Sequence, residues 1–426
     1  MMFNILQQPS SQVSRQEIQY REPALRQKQG KCEALILDAR LRQSLVAVRS
    51  LGSRGLHIAA MDTIKDIPTF WSRWCHHAFV CPRDEGLEIN LASLEQVLEH
   101  TNARVLITSS DANVELIHQH RQKLENRVCV ALAKDPALSI VLDKEQTLEV
   151  ARQLGLHIPR AVTIKSEGEV AAAVHEIGLP AVIKPARSWV KGRQGGVRLT
   201  GQLVITVEEA QQAVANLTQY GVAVLFQQFL SGRREAIHMF YAHDQFYARF
   251  AQWAKRTWPP LGGASVLRQG IALPADIGEQ AESLIRAINL EGYSEVEFRR
   301  DSVGIPYLME INARLSASIE LAVRSGVDFP YLLYQWANGN RITMVKGYRT
   351  GIWMRYLRGD LATTLESFRQ CGRPEVMPPL RALLEFASSF AIPMKYDYFD
   401  WRDPAPALSS VVHFARDATF FIKKKT

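Results

Sequence analysis

Hard oxygen donors are concentrated in one short stretch of the chain, SEVEFRRDSVGIPYLMEINAR, which covers residues 294–314. Two runs with apolar side chains flank the DSVG segment, and this pattern predicts a β-hairpin. Because side chains alternate between the two faces of a strand, we expect Glu297, Glu310 and Asn312 to share one face of this hairpin. Two carboxylates and an amide oxygen are ligands that suit Mg²⁺, so the hairpin predicts a metal site that bridges to bound phosphates.

The predicted metal site depends on the register of the hairpin. We expect Arg300 to pair with Ile305, which puts Glu297 opposite Leu308. A slip of one residue would move Glu297 to the other face. The alternative is that the two glutamates are ordinary exposed strand residues. Glu310 lies within the apolar string IPYLMEI, where an unpaired carboxylate is costly to bury, and this favours the metal site.

Several cationic side chains could hold an anion close to these ligands. Arg314 follows the hairpin and could neutralise a phosphate that is being transferred, or it could form a plain ion pair with a carboxylate. The segment AQWAKRTWPPLGGASVLRQG, residues 251–270, mixes Lys255, Arg256 and Arg268 with aromatic residues and is the candidate substrate-recognition segment. We expect Arg268 to bind a substrate carboxylate or an acyl phosphate, since a guanidinium can contact two oxygens at once. The alternative is a structural loop with satisfied surface arginines.

The elements that position these residues begin with an α/β unit. Short apolar strands at residues 34–38 and 104–110 alternate with helical stretches, which predicts a parallel sheet with helices on its faces over residues 31–135. This unit lacks the GxGxxG pattern, so we do not expect a dinucleotide site. Residues 1–30 are rich in Gln, Ser and Arg and lack a continuous apolar stretch, which predicts a disordered tail and no secretory signal.

Residues 136–345 are predicted to be a mixed α and β region. Asp143 is the expected N-cap of a helix that ends near Gly155, and the strand AVIKP closes at Pro185. The loop that follows, ARSWVKGRQGGV, contains three glycines and is expected to be a flexible flap. Residues 346–426 have no clear pattern and are expected to form a C-terminal extension packed on the body.

The composition of the 426 residues, with 47% hydrophobic and 22% charged side chains and a net charge of +8, is that of a soluble protein. The mildly basic surface favours anionic ligands, but the cations are scattered and no basic stripe indicates a nucleic acid as partner. The five cysteines are widely spaced and odd in number, which argues against a disulfide framework and favours the reducing cytoplasm. No apolar run reaches the roughly 18 residues that would cross a membrane.

The stretch VEFRRDSVGIPYLMEINARLSASIELAVRSGVDFP resembles the metal-binding end of ATP-grasp enzymes, especially the carbamoyl-phosphate-synthase-like branch. The shared pattern is an acid, then E-x-N-x-R, a Ser-containing helix and a Gly-x-x-x-Pro-like close. The similarity extends over roughly residues 135–340. It implies an α/β and α+β fold class, with a pre-ATP-grasp parallel-sheet domain, a two-subdomain ATP-grasp fold and a C-terminal extension.

The resemblance also implies roles for residues outside the hairpin. Lys144 and Lys184 match the two family lysines that contact the nucleotide phosphates. Gln228 and Leu230 match the linker that holds adenine, and Glu235 matches the acid that holds the ribose hydroxyls. Each has an ordinary alternative: a solvated helix lysine, a lysine that reaches outward from a strand end, and a glutamate paired with a neighbouring arginine. Many relatives carry Glu in the linker, and an amide oxygen can still accept the adenine amino hydrogen.

The expected flap differs from the family pattern, which is a shorter glycine-serine loop. Trp189, Lys191 and Arg193 add bulk and charge to it. The resemblance therefore implies closure over the phosphates through backbone amides, without assigning individual flap residues to ATP.

The implied activity is ATP- and Mg²⁺-dependent ligation, with Mn²⁺ as an alternative metal. A substrate carboxylate would attack the γ-phosphate to give an acyl phosphate, and an amine would then displace phosphate. Two alternatives share the nucleotide site: a phosphotransferase, and an ATP-binding module without turnover. The expected partners are a small carboxylate and an amine, whose identities are open, and a homodimer is one option for the oligomeric state.

Overall fold

The computed structural model describes residues 19–21, 31–81, 89–187, 189–192, 195–260 and 262–423. The predicted disordered tail, residues 1–30, lies outside these ranges except for Gln19–Arg21, which form a short strand. Arg193 of the expected flap also lies outside the described residues. Within the described part of the chain, no helix combines the length and the apolar character needed to span a membrane.

The N-terminal unit is the parallel α/β sheet that the sequence predicts. Its elements are β1 (Gln19–Arg21), β2 (Ala34–Ile36), α1 (Arg42–Gly52), β3 (Ile58–Asp62), β4 (His77–Val80), α2 (Leu91–Thr101), β5 (Val105–Ile107), α3 (Asp111–Gln119), α4 (Arg121–Glu125) and β6 (Cys129–Val130). The strand order is β1-β4-β3-β2-β5-β6, and all pairs are parallel except that of the edge strand β1 with β4. Chain order reverses between β2 and β5, so the loops after these two strands lie side by side at the carboxyl edge of the sheet.

A smaller antiparallel unit follows. Its elements are α5 (Ala137–Leu142), α6 (Lys144–Gln153), β7 (Ala161–Ile164), α7 (Val170–Ile177), β8 (Ala181–Pro185), β9 (Trp189–Gly192), β10 (Gly195–Arg198), β11 (Gln202–Val204), α8 (Val207–Thr218) and β12 (Val224–Gln228). Strands β11, β8, β12 and β7 form a sheet in that order, and β9 pairs with β10 in the expected flap. Helices α7 and α8 cover this sheet with a core of their own that includes Ile183 and Phe226. The predicted N-cap is confirmed, because the Asp143 carboxylate accepts from the backbone N–H groups of Glu145 at 3.0 Å and Gln146 at 3.2 Å.

The largest sheet carries the acidic hairpin. Its elements and the helices packed around it are β13 (Arg234–Ala242), β14 (Gln245–Trp258), β15 (Ala264–Ile271), α9 (Ala275–Ile288), β16 (Gly292–Arg300), β17 (Pro306–Asn312), α10 (Ile319–Ser325), α11 (Phe329–Ala337), β18 (Trp353–Arg355), α12 (Leu357–Arg369), α13 (Pro379–Ser388), β19 (Lys395–Tyr396) and α14 (Ala405–Lys423). The strand order is β17-β16-β13-β14-β15-β18-β19, antiparallel except for β18 with β19. Residues after 345 therefore add two strands to this sheet as well as packing against it. The mixed architecture confirms the predicted fold class.

Candidate active site

The β16–β17 hairpin differs in register from the prediction. Arg300 pairs with Pro306 and not with Ile305. In the loop between the strands, the Asp301 backbone N–H donates to the Ile305 carbonyl at 2.9 Å, and the Asp301 carboxylate accepts from the Ile305 N–H at 2.9 Å. The predicted pairing was wrong by one residue, because Asp301 closes a wider loop with both its backbone and its side chain.

A bulge in β17 restores the expected face. Phe298 pairs with Leu308, but the next pair is Glu297 with Glu310, so Met309 is an extra residue on this strand. The bulge shifts the register by one residue and thereby compensates for the wider loop. Glu297 and Glu310 are direct cross-strand partners on one face, and the Cβ atoms of such a pair lie roughly 5 Å apart.

Asn312 joins this face to a carboxylate that the sequence reasoning missed. Its Nδ2 donates to Glu297 Oε1 at 3.2 Å and to Glu295 Oε2 at 3.3 Å. Glu295 pairs with Asn312 across the strands and is buried. Alternation along β16 puts Glu295 on the same face as Glu297, so the E-x-E spacing was the signal that could have found it.

The carboxylates of this face are short of positive charge. Burial raises the pKa of Glu297 well above its usual 4.5, and the neighbouring Glu310 and Glu295 raise it further. Arg234 and Arg314 oppose this shift only in part. Among the described residues, no three His, Cys, Asp or Glu side chains already converge as metal ligands. Hard oxygens whose charge is only partly compensated nevertheless fit a divalent cation that is shared with phosphate oxygens.

Two lysines approach the carboxylates from the smaller unit. Lys184 lies on β8, and Lys144 is the first residue of α6. Burial lowers the pKa of Lys184 to about 8; attraction by Glu310 and Glu297 acts against this shift, and repulsion by Lys144 adds to it. The structure therefore brings Lys184 close to the predicted metal ligands and Lys144 close to Lys184, although the two lysines belong to different elements of the fold.

The linker between β12 and β13 carries the residues expected to hold adenine. The Gln228 backbone N–H donates to the Arg160 carbonyl at 2.8 Å, and the Gln228 side-chain oxygen accepts from the Arg160 N–H at 3.4 Å. Leu230 is buried. Gln227 is buried too, and its Nε2 has no hydrogen-bond partner in the part of the chain that the structure describes. The unpaired amide of Gln227 is thus a second polar group at this linker.

Glu235 does not join the group around the metal ligands. It pairs with Phe298, whereas the adjacent Ala236 pairs with Glu297. The Glu235 side chain therefore projects from the face of the sheet opposite to that of Glu297. Its carboxylate accepts from Arg300 Nε at 2.7 Å and forms an ion pair with Arg233 at 3.2 Å. The contacts match the alternative interpretation of this residue, a glutamate paired with neighbouring arginines.

Arg314 is held by the N-terminal unit. Its Nε donates to Asp111 Oδ1 at 2.5 Å. Burial opposes the charge on Arg314, but Asp111, Glu295 and Glu310 raise its pKa above the usual range. Asp111 begins α3 at the carboxyl edge of the parallel sheet, and Asp38 fixes the loop before it by accepting five hydrogen bonds. Two domains thus define the position of this guanidinium.

Arg268 is not exposed to a substrate in this structure. It is fully buried, and its two terminal nitrogens donate to Asp397 at 2.7 and 3.1 Å. Asp397 also pairs with Arg42 of α1. Instead of facing a substrate acid, Arg268 binds an internal carboxylate and connects the largest sheet to the C-terminal region and to the N-terminal unit.

A chain of hydrogen bonds fixes Glu295. Ser318 donates to Glu295 Oε1 at 3.1 Å, and Ser316 lies 2.9 Å from Ser318. The Tyr293 hydroxyl donates to Ser316 at 3.2 Å and lies 2.8 Å from Nδ1 of His238, whose pKa is lowered by burial. These buried contacts hold the third carboxylate rigidly beside Asn312.

Sequence comparisons bear on this arrangement. A family model described as "ATP-grasp in the biosynthetic pathway with Ter operon" matches residues 256–359, which include the hairpin and Arg314. D-alanine–D-alanine ligase B from Pseudomonas putida is 26% identical over 218 residues, which are 46% of this chain and 64% of that protein. The carbamoyl phosphate synthase large chain from Methanoculleus marisnigri is 26% identical over 219 residues, which are 49% of this chain and 20% of that protein. The chain therefore spans less than two thirds of these relatives.

Among solved structures, N5-carboxyaminoimidazole synthetase from Staphylococcus aureus in complex with ADP has a similar fold. It aligns with a TM-score of 0.58 and 15% sequence identity, over 78% of this chain and 83% of that chain. At this identity the likeness concerns the fold alone.

Proposed function

Because this chain belongs to the ATP-grasp superfamily, we propose that it uses ATP to couple a carboxylate to an amine, with release of ADP and phosphate. The observation that carries the proposal is the direct pairing of Glu297 with Glu310 next to the half-buried Lys184. Carboxylates whose charge is only partly compensated, beside a lysine, suit a metal-bound triphosphate. The similar D-alanine–D-alanine ligase joins two amino acids, as its name states, and this supports a carboxylate and an amine as the two substrates.

ATP would lie between the two sheets. Lys184 and Lys144 would bind its phosphates, for which an ammonium is a compact point charge. The adenine would lie against Leu230 at the linker, where the unpaired Gln227 side chain offers an amide group to its polar edge. The hairpin β9–β10 would cover the phosphates through backbone N–H groups.

Glu297, Glu310 and Asn312 would hold Mg²⁺, or Mn²⁺ in its place. The bound cation supplies positive charge beside the phosphate oxygens. Two observations fit this assignment. The pKa of Glu297 is raised by burial and by neighbouring carboxylates that a cation would neutralise. Glu295 and Glu297 accept hydrogen bonds only from Nδ2 of Asn312, so its Oδ1 can serve as a ligand.

Arg314 would bind oxygens of the transferred phosphoryl group with its terminal nitrogens, since the contact with Asp111 uses Nε. An oxygen of the substrate carboxylate attacks the γ-phosphorus, and the bond to the leaving ADP oxygen breaks. The amine nitrogen then attacks the acyl carbon, the bond to phosphate breaks, and the nitrogen loses a proton. Positioning and charge stabilisation account for these steps without a protein nucleophile.

A substrate screen tests the proposed activity. Purified protein is incubated with Mg·ATP and pools of small acids and amines, ADP release is followed, and mass spectrometry identifies the conjugate. We expect ADP release that needs both an acid and an amine, and a product whose mass equals their sum minus water. Glu310→Gln should abolish turnover. The control is Glu282→Gln, which alters a carboxylate on α9 that pairs with Arg249 of β14, and this variant should retain turnover.

Two results would redirect the proposal. A product that keeps the phosphate would identify a phosphotransferase. ATP binding without ADP release in any pool would identify a binding module without turnover.

A further inference from the structure

Two arginines lie side by side on the face that carries the carboxylates. Arg234 on β13 pairs directly with Arg299 on β16, and the next pair on this face is Ala236 with Glu297. Like charges at directly opposite positions destabilise a sheet when nothing neutralises them. Arg299 is buried, and its carboxylate partner is Glu375, which belongs to the segment between α12 and α13. Glu375 therefore neutralises one of the two charges.

Arg234 forms no close ion pair with a residue that the structure describes, although Glu375 and Glu297 attract it from a greater distance. Among the described residues, its guanidinium has one hydrogen bond, from Nη1 to the Thr257 hydroxyl at 3.0 Å. Burial lowers the pKa of Arg234 to about 10, and the nearby Arg299 contributes to this shift. A half-buried guanidinium with terminal nitrogens available for more bonds is a binding group for an anion with several oxygens.

The arginine pair lies between the linker and the metal ligands. The Arg299 guanidinium lies over the ring of Phe229, which follows Gln228 in the linker, at 5.3 Å from the ring centroid. Glu297 is two residues away on the same face of β16. Arg234 also helps to lower the pKa of Lys184, which shows that the two cations are neighbours. A nucleotide with its base at the linker and its terminal phosphates at Glu297 must cross this pair.

We propose that Arg234 binds the α-phosphate of the nucleotide. The inference rests on the proposed function, because it needs ATP to span the distance from the linker to the carboxylates. Arg299 contacts Phe229 of the linker, and Glu297 lies two residues further along the same face of β16, so the phosphate nearest the base is the one that would reach the arginine pair. The terminal phosphates are left to Lys184 and the metal ligands. The contact needs no metal and is shared by ATP, ADP and AMP.

Competition between AMP and adenosine isolates this contact. A fluorescent ADP analogue is bound to the protein in EDTA and displaced by AMP or by adenosine, which differ only in the α-phosphate. In the wild type AMP should displace the analogue at a concentration at least about 10-fold lower than adenosine. In Arg234→Met this advantage should be lost, so that AMP and adenosine displace the analogue at similar concentrations, as expected when a hydrogen-bonded charge that contributes about 10-fold in affinity is removed.

Two further variants make the result specific. Arg234→Lys keeps a positive charge without the fork of donors, so we expect an intermediate ratio even if the methionine variant does not fold. Arg233→Met alters the adjacent, more exposed arginine, whose guanidinium lies over Trp253, and it should keep the wild-type ratio.

The possible outcomes separate this inference from the proposed function. An unchanged AMP-to-adenosine ratio in both Arg234 variants, with the ADP analogue still bound, would overturn the α-phosphate assignment alone. An equal loss in Arg233→Met would also overturn it. A wild-type protein that binds neither the analogue nor AMP would contradict the nucleotide site itself and with it the proposed function.

Discussion

Removing the negative charge of Glu297 is expected to stabilise the nucleotide-free protein. Glu297 is the direct cross-strand partner of Glu310, and its pKa is raised by burial and by two neighbouring carboxylates. A carboxylate whose ionised form is disfavoured in the folded state lowers stability whenever it is ionised. Glu297→Gln keeps the shape of the side chain and an oxygen that can accept from Asn312, so it should raise the free energy of unfolding at pH 7.

The geometry of the hairpin sets the size of this effect. Two unit charges roughly 5 Å apart, as in a direct cross-strand pair, repel by about 3 kcal/mol at an effective dielectric constant of about 20. Lys184, Arg234 and Arg314 compensate part of this repulsion. We therefore expect a gain of about 1–2 kcal/mol in the free energy of unfolding, which for a chain of 426 residues corresponds to a rise in Tm of roughly 1–2 °C.

The pH dependence of this gain has a definite sign. The pKa of Glu297 is higher in the folded than in the unfolded protein, so its cost is absent where both states are protonated, below the usual value of 4.5. The cost grows as the pH rises above that value. The difference in Tm between Glu297→Gln and the wild type should therefore be close to zero near pH 4, by the same linkage argument, and largest at neutral pH.

Thermal unfolding followed by circular dichroism measures the change in stability without nucleotide and, in a second series, the stabilisation by Mg·ADP. At about 100 times its Kd, Mg·ADP should stabilise the wild type by about 2.7 kcal/mol, and Glu297→Gln should lose the part of this stabilisation that requires Mg²⁺. Glu282→Gln is the matched control and should change neither quantity. A Glu297→Gln variant that unfolds below the wild type at pH 7 without nucleotide, or that keeps the full Mg²⁺-dependent rise, would refute the reasoning.

Three other predictions concern the supports of the site and the thiols. Asp111→Asn should lower kcat about 10- to 100-fold with little change in the KM for ATP, because Arg314 loses its ion pair with Asp111. Steady-state kinetics measure both constants, and a change in KM alone would contradict this prediction. Asp397→Asn should reduce the free energy of unfolding by about 3–5 kcal/mol in urea titrations, since it leaves two guanidinium groups without their carboxylate, and a loss under about 1 kcal/mol would count against it. A thiol reagent at pH 8 should label two exposed cysteines, Cys129 and Cys371, in the native protein and five after denaturation. Burial raises the pKa of the other three thiols and keeps them protonated at that pH: Cys32 to about 11, Cys75 and Cys81 to about 12. Labelling of more than two in the native protein would contradict this.

The hairpin shows what local pattern can and cannot predict. Alternation along the strands correctly put Glu297, Glu310 and Asn312 on one face. The register behind that prediction was wrong, because the loop is wider than the DSVG turn and a bulge at Met309 compensates for it. Bulges follow from packing against neighbouring strands, which the sequence of one hairpin does not contain.

Contacts between distant segments could not be predicted from local patterns. Asp111 and Arg314 are separated by 203 residues, and Arg268 and Asp397 by 129, and nothing near either residue indicates its partner. The C-terminal region escaped prediction for a related reason. Its strands β18 and β19 contain three and two residues, which is too short for a recognisable alternation, and they exist because the edge of the largest sheet pairs with them.

The most direct test of the account is an anomalous difference map from crystals of the protein with Mn²⁺ and ADP. We expect a metal peak in contact with carboxylate oxygens of Glu297 and Glu310, the amide oxygen of Asn312 and a β-phosphate oxygen, with Lys184 beside the same phosphates. A nucleotide bound away from these residues, or a metal peak with no contact to either glutamate, would contradict it.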